Sequence, residues 1–167
     1  MGLTKPSFLT EHHQIDAFCS GEDQIDTWLK KYALRNHVNG ASRVYTVCDK
    51  DVVVGYYALA AGSISHVAAT GNFRRNTPET IPVILLGCLA VDVSYQGQGL
   101  GRALFCDSIS KVIAASDIIG ARGIVVHAIS EEAKDFYFKL GLSVSPREER
   151  TFMQTLLDLR RNFGVCW

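Results

Sequence analysis

Apolar positions recur along this chain with two different periods. In GEDQIDTWLKKYALRNH, Ile25, Trp28, Leu29, Tyr32 and Ala33 fall at helical spacing while Lys30, Lys31 and Arg35 fall largely on other faces, so an amphipathic helix is predicted there. The run RVYTVCDKDVVVGYYALAAGSI is rich in β-branched and aromatic residues and is broken by Asp49-Lys50-Asp51, the pattern of a β-hairpin. A loop carrying Arg74-Arg75 is expected from about Val67 to Thr80, ending near Pro78 and Pro82. PVILLGCLAVDV is almost continuously apolar, as a central strand covered on both faces should be. Beyond it, Arg102 to about Ser116 reads as a helix and ARGIVVHAI as a second buried strand. EEAKDFYFKLG reads as a short helix stopped by Gly141, and TFMQTLLDL as a last strand before the polar RRN and FGVCW. No repeat or linker interrupts the series. The expectation is one α/β domain over residues 1–167, built on a mixed sheet.

Composition narrows the possibilities. With 167 residues, 47% apolar and 20% charged, the chain suits a single domain with a substantial core. Lys and Arg number 17, as do Asp and Glu, which excludes a global positive field that would draw the protein to nucleic acid indiscriminately. A local basic patch stays open. The cysteines Cys19, Cys48, Cys88, Cys106 and Cys166 contain no C-x-x-C pair and read as buried free thiols in a reducing compartment. His12-His13, His37, His66 and His127 lack metal-ligand spacing, so no metal is expected and these side chains read as structural or solvent-facing. MGLTKPSFLTEHHQ lacks the apolar core of a signal peptide, and Pro6 stands where a myristoylation motif needs Ser or Thr. No apolar segment reaches the roughly 20 residues of a membrane span. A cytoplasmic protein with no membrane partner is expected.

Candidate chemistry enters with QGQGLGRA, where Gly97, Gly99 and Gly101 follow directly on the apolar strand. Glycines this close together free the backbone for positive φ and for close approach to a ligand, and N–H groups at a helix start attract anions, so the stretch suggests a phosphate cradle. It is not a dinucleotide fingerprint, because Arg102 occupies the sixth position of G-x-G-x-x-G and no acidic residue stands at a plausible ribose strand. It is not a P-loop either, since no Lys-Ser or Lys-Thr follows. Taken alone, it could be a glycine turn with no ligand.

Two motifs together carry more. Gln96-Gly97-Gln98-Gly99-Leu100-Gly101 matches Q/R-x-x-G-x-G/A after the strand LAVDV, and Ala133-Lys134-Asp135-Phe136-Tyr137-Phe138-Lys139-Leu140-Gly141-Leu142 matches A-x-x-F-Y-x-x-x-G-F/L about 30 residues downstream. The chain thereby resembles the GNAT superfamily of N-acetyltransferases. That resemblance implies the GNAT fold, a mixed and mostly antiparallel sheet flanked by helices, and acetyl-CoA as cosubstrate. It implies a pyrophosphate site at Gln96, Gly97, Gln98, Gly99, Leu100, Gly101 and Arg102, with Leu89, Ala90 and Val91 beside the pantetheine arm. The physics agrees: N–H groups from Gln98 to Arg102 at the positive end of a helix suit a diphosphate. Pantetheine amides can pair with exposed strand groups as an added strand does. Tyr137 would be the catalytic acid, because attack of an amine on a thioester expels a thiolate and a phenol of pKa near ~10 can protonate it. The alternative is a core aromatic, the role expected of Phe136.

Over nearly its whole length the chain is similar to one branch of that superfamily, the TacT/AtaT-like toxins of toxin–antitoxin modules. The shared features are His13, Ile15, Phe18 and Gly21 in H-x-I-x-x-F-x-x-G, the segment Trp28 to Leu34, IPVILLGCLAVD, and T-L-x-D-L-R from Thr155 to Arg160. The resemblance implies acetylation of the α-amine of aminoacyl-tRNA, arrest of translation, a homodimer, and control by a ribbon-helix-helix antitoxin. Candidate tRNA contacts are Lys30, Lys31, Arg35, Arg74 and Arg75, with Arg43, Arg147, Arg150, Arg160 and Arg161 as further basic positions. One departure stands out: Cys88 occupies the place of the branch's usual arginine in L-L-x-R-L-A-V-D. A basic contact is lost there, and a core strand residue is expected rather than a nucleophile, because direct transfer needs no acyl-enzyme. An α-amino group has a pKa near ~8, lowered further beside an ester, so a strong general base is optional, and none is evident. Two other readings stay open: a GNAT acetyltransferase acting on a protein or small-molecule amine, and a non-catalytic acyl-CoA-binding module.

Overall fold

The structure, a computed structural model, describes residues 2–163. Its strands are β1 (Ser7–Phe8), β2 (Arg43–Asp49), β3 (Val52–Ser65), β4 (Thr80–Val91), β5 (Gly123–His127), β6 (Ser143–Val144) and β7 (Thr151–Thr155). They form a sheet in the order β1-β2-β3-β4-β5-β7-β6. β4 and β5 pair in parallel, Ile84 opposite Ile124. The pairs β1·β2, β2·β3, β5·β7 and β6·β7 are antiparallel. The helices are α1 (Asp23–Trp28), α2 (Leu34–Asn39), α3 (Gly71–Arg74), α4 (Leu100–Ser116), α5 (Glu131–Lys139) and α6 (Leu156–Phe163). This is the mixed, mostly antiparallel α/β architecture that the motifs implied.

Two units of chain can be distinguished, Met1–Ala60 with Gly87–Ser108, and Ala61–Leu86 with Ile109–Trp167. In the first, the predicted N-terminal helix is interrupted: a π-helical turn, Leu29–Ala33, joins α1 to α2. It keeps Leu29 and Ala33 buried in a cluster with Phe18, Val44, Tyr56 and Ala90 while Lys30 and Lys31 face solvent. Turns of this kind are uncommon and concentrate at functional sites. The hairpin is as expected, with Lys50 at φ 58° in its turn. Its register shifts, Val47 pairing Gly55 and Cys48 pairing Val53, so Val54 is the bulged residue. The bulge leaves the Val54 carbonyl to accept from the Asp92 N–H at 2.8 Å, which ties the segment following β4 to β3.

The second unit is organised on the β5·β7 ladder. Gly123 opposes Thr155 there, and any Cβ at Gly123 would collide with the Gln154 carbonyl. Ile64, Phe73, Ile81, Val83, Val125 and Met153 form its core. Two sequence expectations need correction. The segment 67–80 is not plain loop: it includes α3, capped by Thr70, whose Oγ1 accepts from Phe73 N at 3.2 Å, and β4 already begins at Thr80. TFMQTLLDL is not one strand either. Strand structure stops at Thr155, whose Oγ1 caps the next turn by accepting from Asp158 N at 3.2 Å, and α6 runs on through Arg160 and Arg161 to bury Leu159 and Phe163. Those two side chains are four residues apart, about one turn, and so share the inward face of the helix. The two-residue strands β1 and β6 are too short to have left a periodic signal.

Candidate active site

In the first unit, β4 delivers the chain into the glycine stretch through a tightly tied corner. Asp92 accepts from Ser94 N at 2.9 Å and from Cys19 N at 3.0 Å. Val93 N donates to Cys19 O at 2.8 Å, and the Tyr95 hydroxyl donates to Asp49 at 2.7 Å. The Gln96 side-chain amide donates to both Ser20 O and Val91 O at 2.8 Å, so that side chain shapes the loop rather than reaching out of it. From Gln96 to Gly99 the chain is exposed. Gly97 and Gly99 sit at φ 77° and 84°, which L side chains rarely adopt, and a Cβ at either would project into open space. α4 begins at Leu100, two residues earlier than expected, which places Gly101 in its first turn rather than in the loop. Ala103 N reaches back to Gly99 O at 3.1 Å, leaving the N–H groups of Leu100, Gly101 and Arg102 ahead of that helical bond. Exposed glycine backbone followed by free first-turn N–H groups is chemistry that fits a diphosphate. Ala90 and Val91 are largely buried at the end of β4, and Leu89 is half-buried.

The second unit holds Tyr137. Ser130 caps α5 by accepting from Ala133 N at 3.1 Å, and Gly141 at φ 93° ends it, with Leu142 N donating to Tyr137 O at 3.3 Å. Tyr137 is 5% exposed, packed edge-on against Phe136 at 5.1 Å and 6.2 Å from the Phe152 ring of β7. Phe136 is half-buried and Phe138 faces solvent, so within the F-Y-F run it is the tyrosine that points inward. On the neighbouring rung of the ladder, His127 Nδ1 lies 2.9 Å from Thr151 Oγ1, which donates to Glu148 Oε1 at 3.0 Å. No sequence spacing singles out His127: its partner Thr151 stands 24 residues downstream, and the register of β5 on β7 brings the two together.

The candidate RNA contacts divide between the units. Lys30, Lys31 and Arg35 are exposed on the π-helical turn and α2 of the first, with the Arg35 guanidinium 5.4 Å above the Tyr32 ring. Arg74 and Arg75 are exposed at the end of α3 in the second, where Arg74 also donates to His66 O at 3.3 Å. Several other basic residues are engaged. Arg43 donates to His37 O, Arg150 pairs Glu131 at 3.1 Å, and Arg160 pairs Asp117 at 2.9 Å. Cys88 packs against the cluster around Tyr56, and burial pushes its thiol up to about 11, so it is protonated near neutrality and no nucleophile. Cys19, Cys48, Cys88 and Cys106 are free thiols, Cys19 exposed rather than buried as expected; Cys166 lies outside the described residues. Among the described residues no His, Cys, Asp and Glu cluster is arranged to hold a metal ion, and no helix is long and apolar enough to cross a membrane.

Residues 40–142 match the family described as the acetyltransferase (GNAT) domain. The chain belongs to the GNAT acetyltransferase family. This GNAT chain is 43% identical over 163 residues to the tRNA-acetylating toxin of Mycobacterium tuberculosis (strain ATCC 25618 / H37Rv), with 98% of each covered. It is similar to the solved structure of AtaT complexed with acetyl-methionyl-tRNAfMet, with a TM-score of 0.87 and 29% identity over 96% of this chain and 99% of that one. It is also similar to a tyrosine-to-phenylalanine mutant of the AtaT toxin bound to the C-terminus of the antitoxin AtaR and acetyl-CoA. There the TM-score is 0.83 and the identity 29%, over 97% of this chain and 98% of that one. As a GNAT enzyme the protein is an acetyltransferase whose cosubstrate is acetyl-CoA.

Proposed function

We propose that this GNAT protein transfers the acetyl group of acetyl-CoA to the α-amine of aminoacyl-tRNA and so stops translation. The observation that carries the reading is the likeness, over 98% of both chains, to a tRNA-acetylating toxin. Residues 1–167 work as one acetyltransferase domain. The backbone of residues 96–102 holds the diphosphate, and Leu89, Ala90 and Val91 flank the pantetheine arm. As the C–S bond breaks, the Tyr137 hydroxyl protonates the departing thiolate. Lys30, Lys31, Arg35, Arg74 and Arg75 contact phosphates, which positions the acceptor stem without reading its sequence. The protein acts in the cytoplasm as a homodimer and is neutralised by a ribbon-helix-helix antitoxin; the antitoxin complex of AtaT supports a partner of that role.

The reading is tested by incubating the purified protein with labelled acetyl-CoA and total aminoacylated tRNA. One or a few tRNA species should take label, and prior deacylation should abolish it. Label entering a protein lysine or a polyamine but not charged tRNA would replace this reading with a general amine acetyltransferase.

A further inference from the structure

Of the apolar positions that predict the N-terminal helix, Ile25, Trp28, Leu29 and Ala33 all pack inward, and Tyr32 alone is exposed, at 43%. The π-helical turn Leu29–Ala33 supplies the reason. Its i→i+5 hydrogen bonds wind the chain less per residue than an α-helix does, so Tyr32 is rotated off the stripe that Ile25 and Trp28 follow. Three consecutive side chains, Lys30, Lys31 and Tyr32, then face solvent between the buried Leu29 and Ala33.

The ring is set among cations that are not neutralised. The Arg35 guanidinium lies 5.4 Å from the centroid of the Tyr32 ring, which steadies one face of the ring and leaves the rest open to a second planar partner. Among the described residues Lys30, Lys31 and Arg35 form no ion pair, whereas Lys134, Arg150, Arg160 and Arg161 each have one. Asp26, one helical turn before Lys30, is buried and accepts from Ser20 N at 3.0 Å and from Ser20 Oγ at 2.6 Å, so its charge is turned away. The inner side of the same turn is anchored: Leu29 and Ala33 share a cluster with Ala90 of β4, and Cys88 packs against it. The exposed face therefore stands about one helix diameter, ~10 Å, from the strand that leads into the glycine stretch.

We infer that Tyr32 is a stacking platform for an unpaired base of the acceptor RNA, with Lys30, Lys31 and Arg35 holding the phosphates on either side of that base. This assignment rests on the aminoacyl-tRNA reading above and adds to it which part of the RNA the surface takes. Lysine and arginine alone would serve any phosphate, paired strand or not. A phenol ring gains nothing against a duplex, whose bases are stacked on one another behind sugar and phosphate; it gains contact only where a base is unpaired and free to stack on it. The 3′ end of tRNA that carries the amino acid is single-stranded and offers such bases. An anionic membrane would ask instead for a broad apolar face beside the cations. Along this outward stretch the exposed residues after Tyr32 are Arg35, Val38 and Asn39, and of these only the valine is apolar.

Binding by the full chain tests it, with three probes: a short single-stranded RNA carrying 2-aminopurine, the same strand in a duplex, and charged tRNA. The wild-type protein should quench the fluorescence of the single strand and bind it in preference to the duplex. Tyr32→Ala should abolish the quench and lower affinity for the single strand and for charged tRNA roughly 5- to 100-fold with acetyl-CoA affinity intact, while Tyr32→Phe and Tyr32→Trp keep both signals. Because the ring carries no charge, Tyr32→Ala should leave the salt dependence of binding as it was, whereas Lys31→Gln should reduce its log–log slope by about 0.7. Affinity of Tyr32→Ala within twofold of wild type, an equal loss for duplex and single strand, or a loss confined to phosphatidylserine vesicles would overturn the inference. Charged tRNA that binds in this manner and yet takes no acetyl would end the transfer reading and leave the stacking surface standing.

Discussion

Around Gly97 and Gly99 the chain offers its backbone to solvent, whereas around Tyr137 and His127 it offers side chains clamped from several directions. In the first region the useful groups are N–H donors whose aim follows from two left-handed glycines and a helix start, and the nearby side chains of Asp92, Tyr95 and Gln96 are spent on tying the loop down. In the second, α5 buries a phenol against Phe152, and His127, Thr151 and Glu148 are joined in a chain of polar contacts. The difference follows from what each must recognise. A diphosphate presents the same diffuse charge in every molecule and is met by dipoles that cannot ionise, while a proton transfer needs a named atom with a titratable lone pair.

If that division holds, damage to backbone conformation should cost binding and damage to side chains should cost rate. The largest effect is expected from Gly99→Glu, which places a Cβ at φ 84° and a carboxylate where the diphosphate would lie. Calorimetry should show acetyl-CoA affinity lost by about 100-fold or more, the scale of a short-range like-charge contact, with the far-ultraviolet spectrum unchanged. Unaltered affinity would break the assignment of the loop. Tyr137→Phe should instead bind acetyl-CoA normally and turn over roughly 10²–10⁴-fold more slowly, because only the proton is removed from a ring that still fills its place. Near wild-type turnover would return Tyr137 to the core.

Reversing Arg74 and Arg75 to glutamate should act on neither region. It should raise KM for charged tRNA by about tenfold, leave acetyl-CoA affinity alone, and flatten the salt dependence of tRNA binding by roughly 0.7–0.9 in the log–log slope per lost phosphate contact. The smallest effect is expected at Cys88. Its thiol titrates only near pH 11, so at pH 8 it should alkylate far more slowly than exposed Cys19, and Cys88→Ala should keep its turnover. A large loss of rate in Cys88→Ala with a stable fold would make that thiol a participant.

Most of the architecture was legible because its elements are long and periodic: the hairpin, β4, α4, β5 and α5 all stand where apolar spacing predicted them. One error falls where an apolar run changes its period midway. Leu156, Leu159 and Phe163 carry a helical spacing, but Thr151–Thr155 ahead of them is a strand buried along its whole length, and reading the two as one run hid α6. The left-handed turns at Gly97 and Gly99 were legible because glycine spacing is a local signal, while the start of α4 at Leu100 was not. The contact of His127 with Thr151 was not legible, since a strand register rather than a sequence spacing brings the two together. The interruption of the N-terminal helix at Leu29–Ala33 left no signal either, because Ile25, Leu29 and Ala33 satisfy an ordinary helical stripe equally well.

The acceptor atom itself gives the most direct test of the central claim. Charged tRNA treated with the protein and acetyl-CoA, then digested with nuclease, should release a terminal adenosine carrying an aminoacyl group heavier by one acetyl. Fragmentation in the mass spectrometer should place that acetyl on the α-nitrogen, and the Tyr137→Phe protein should yield little of the product. Acetyl on a nucleobase, on an amino-acid side chain, or absent from the released adenosine while CoA is still produced would contradict the account.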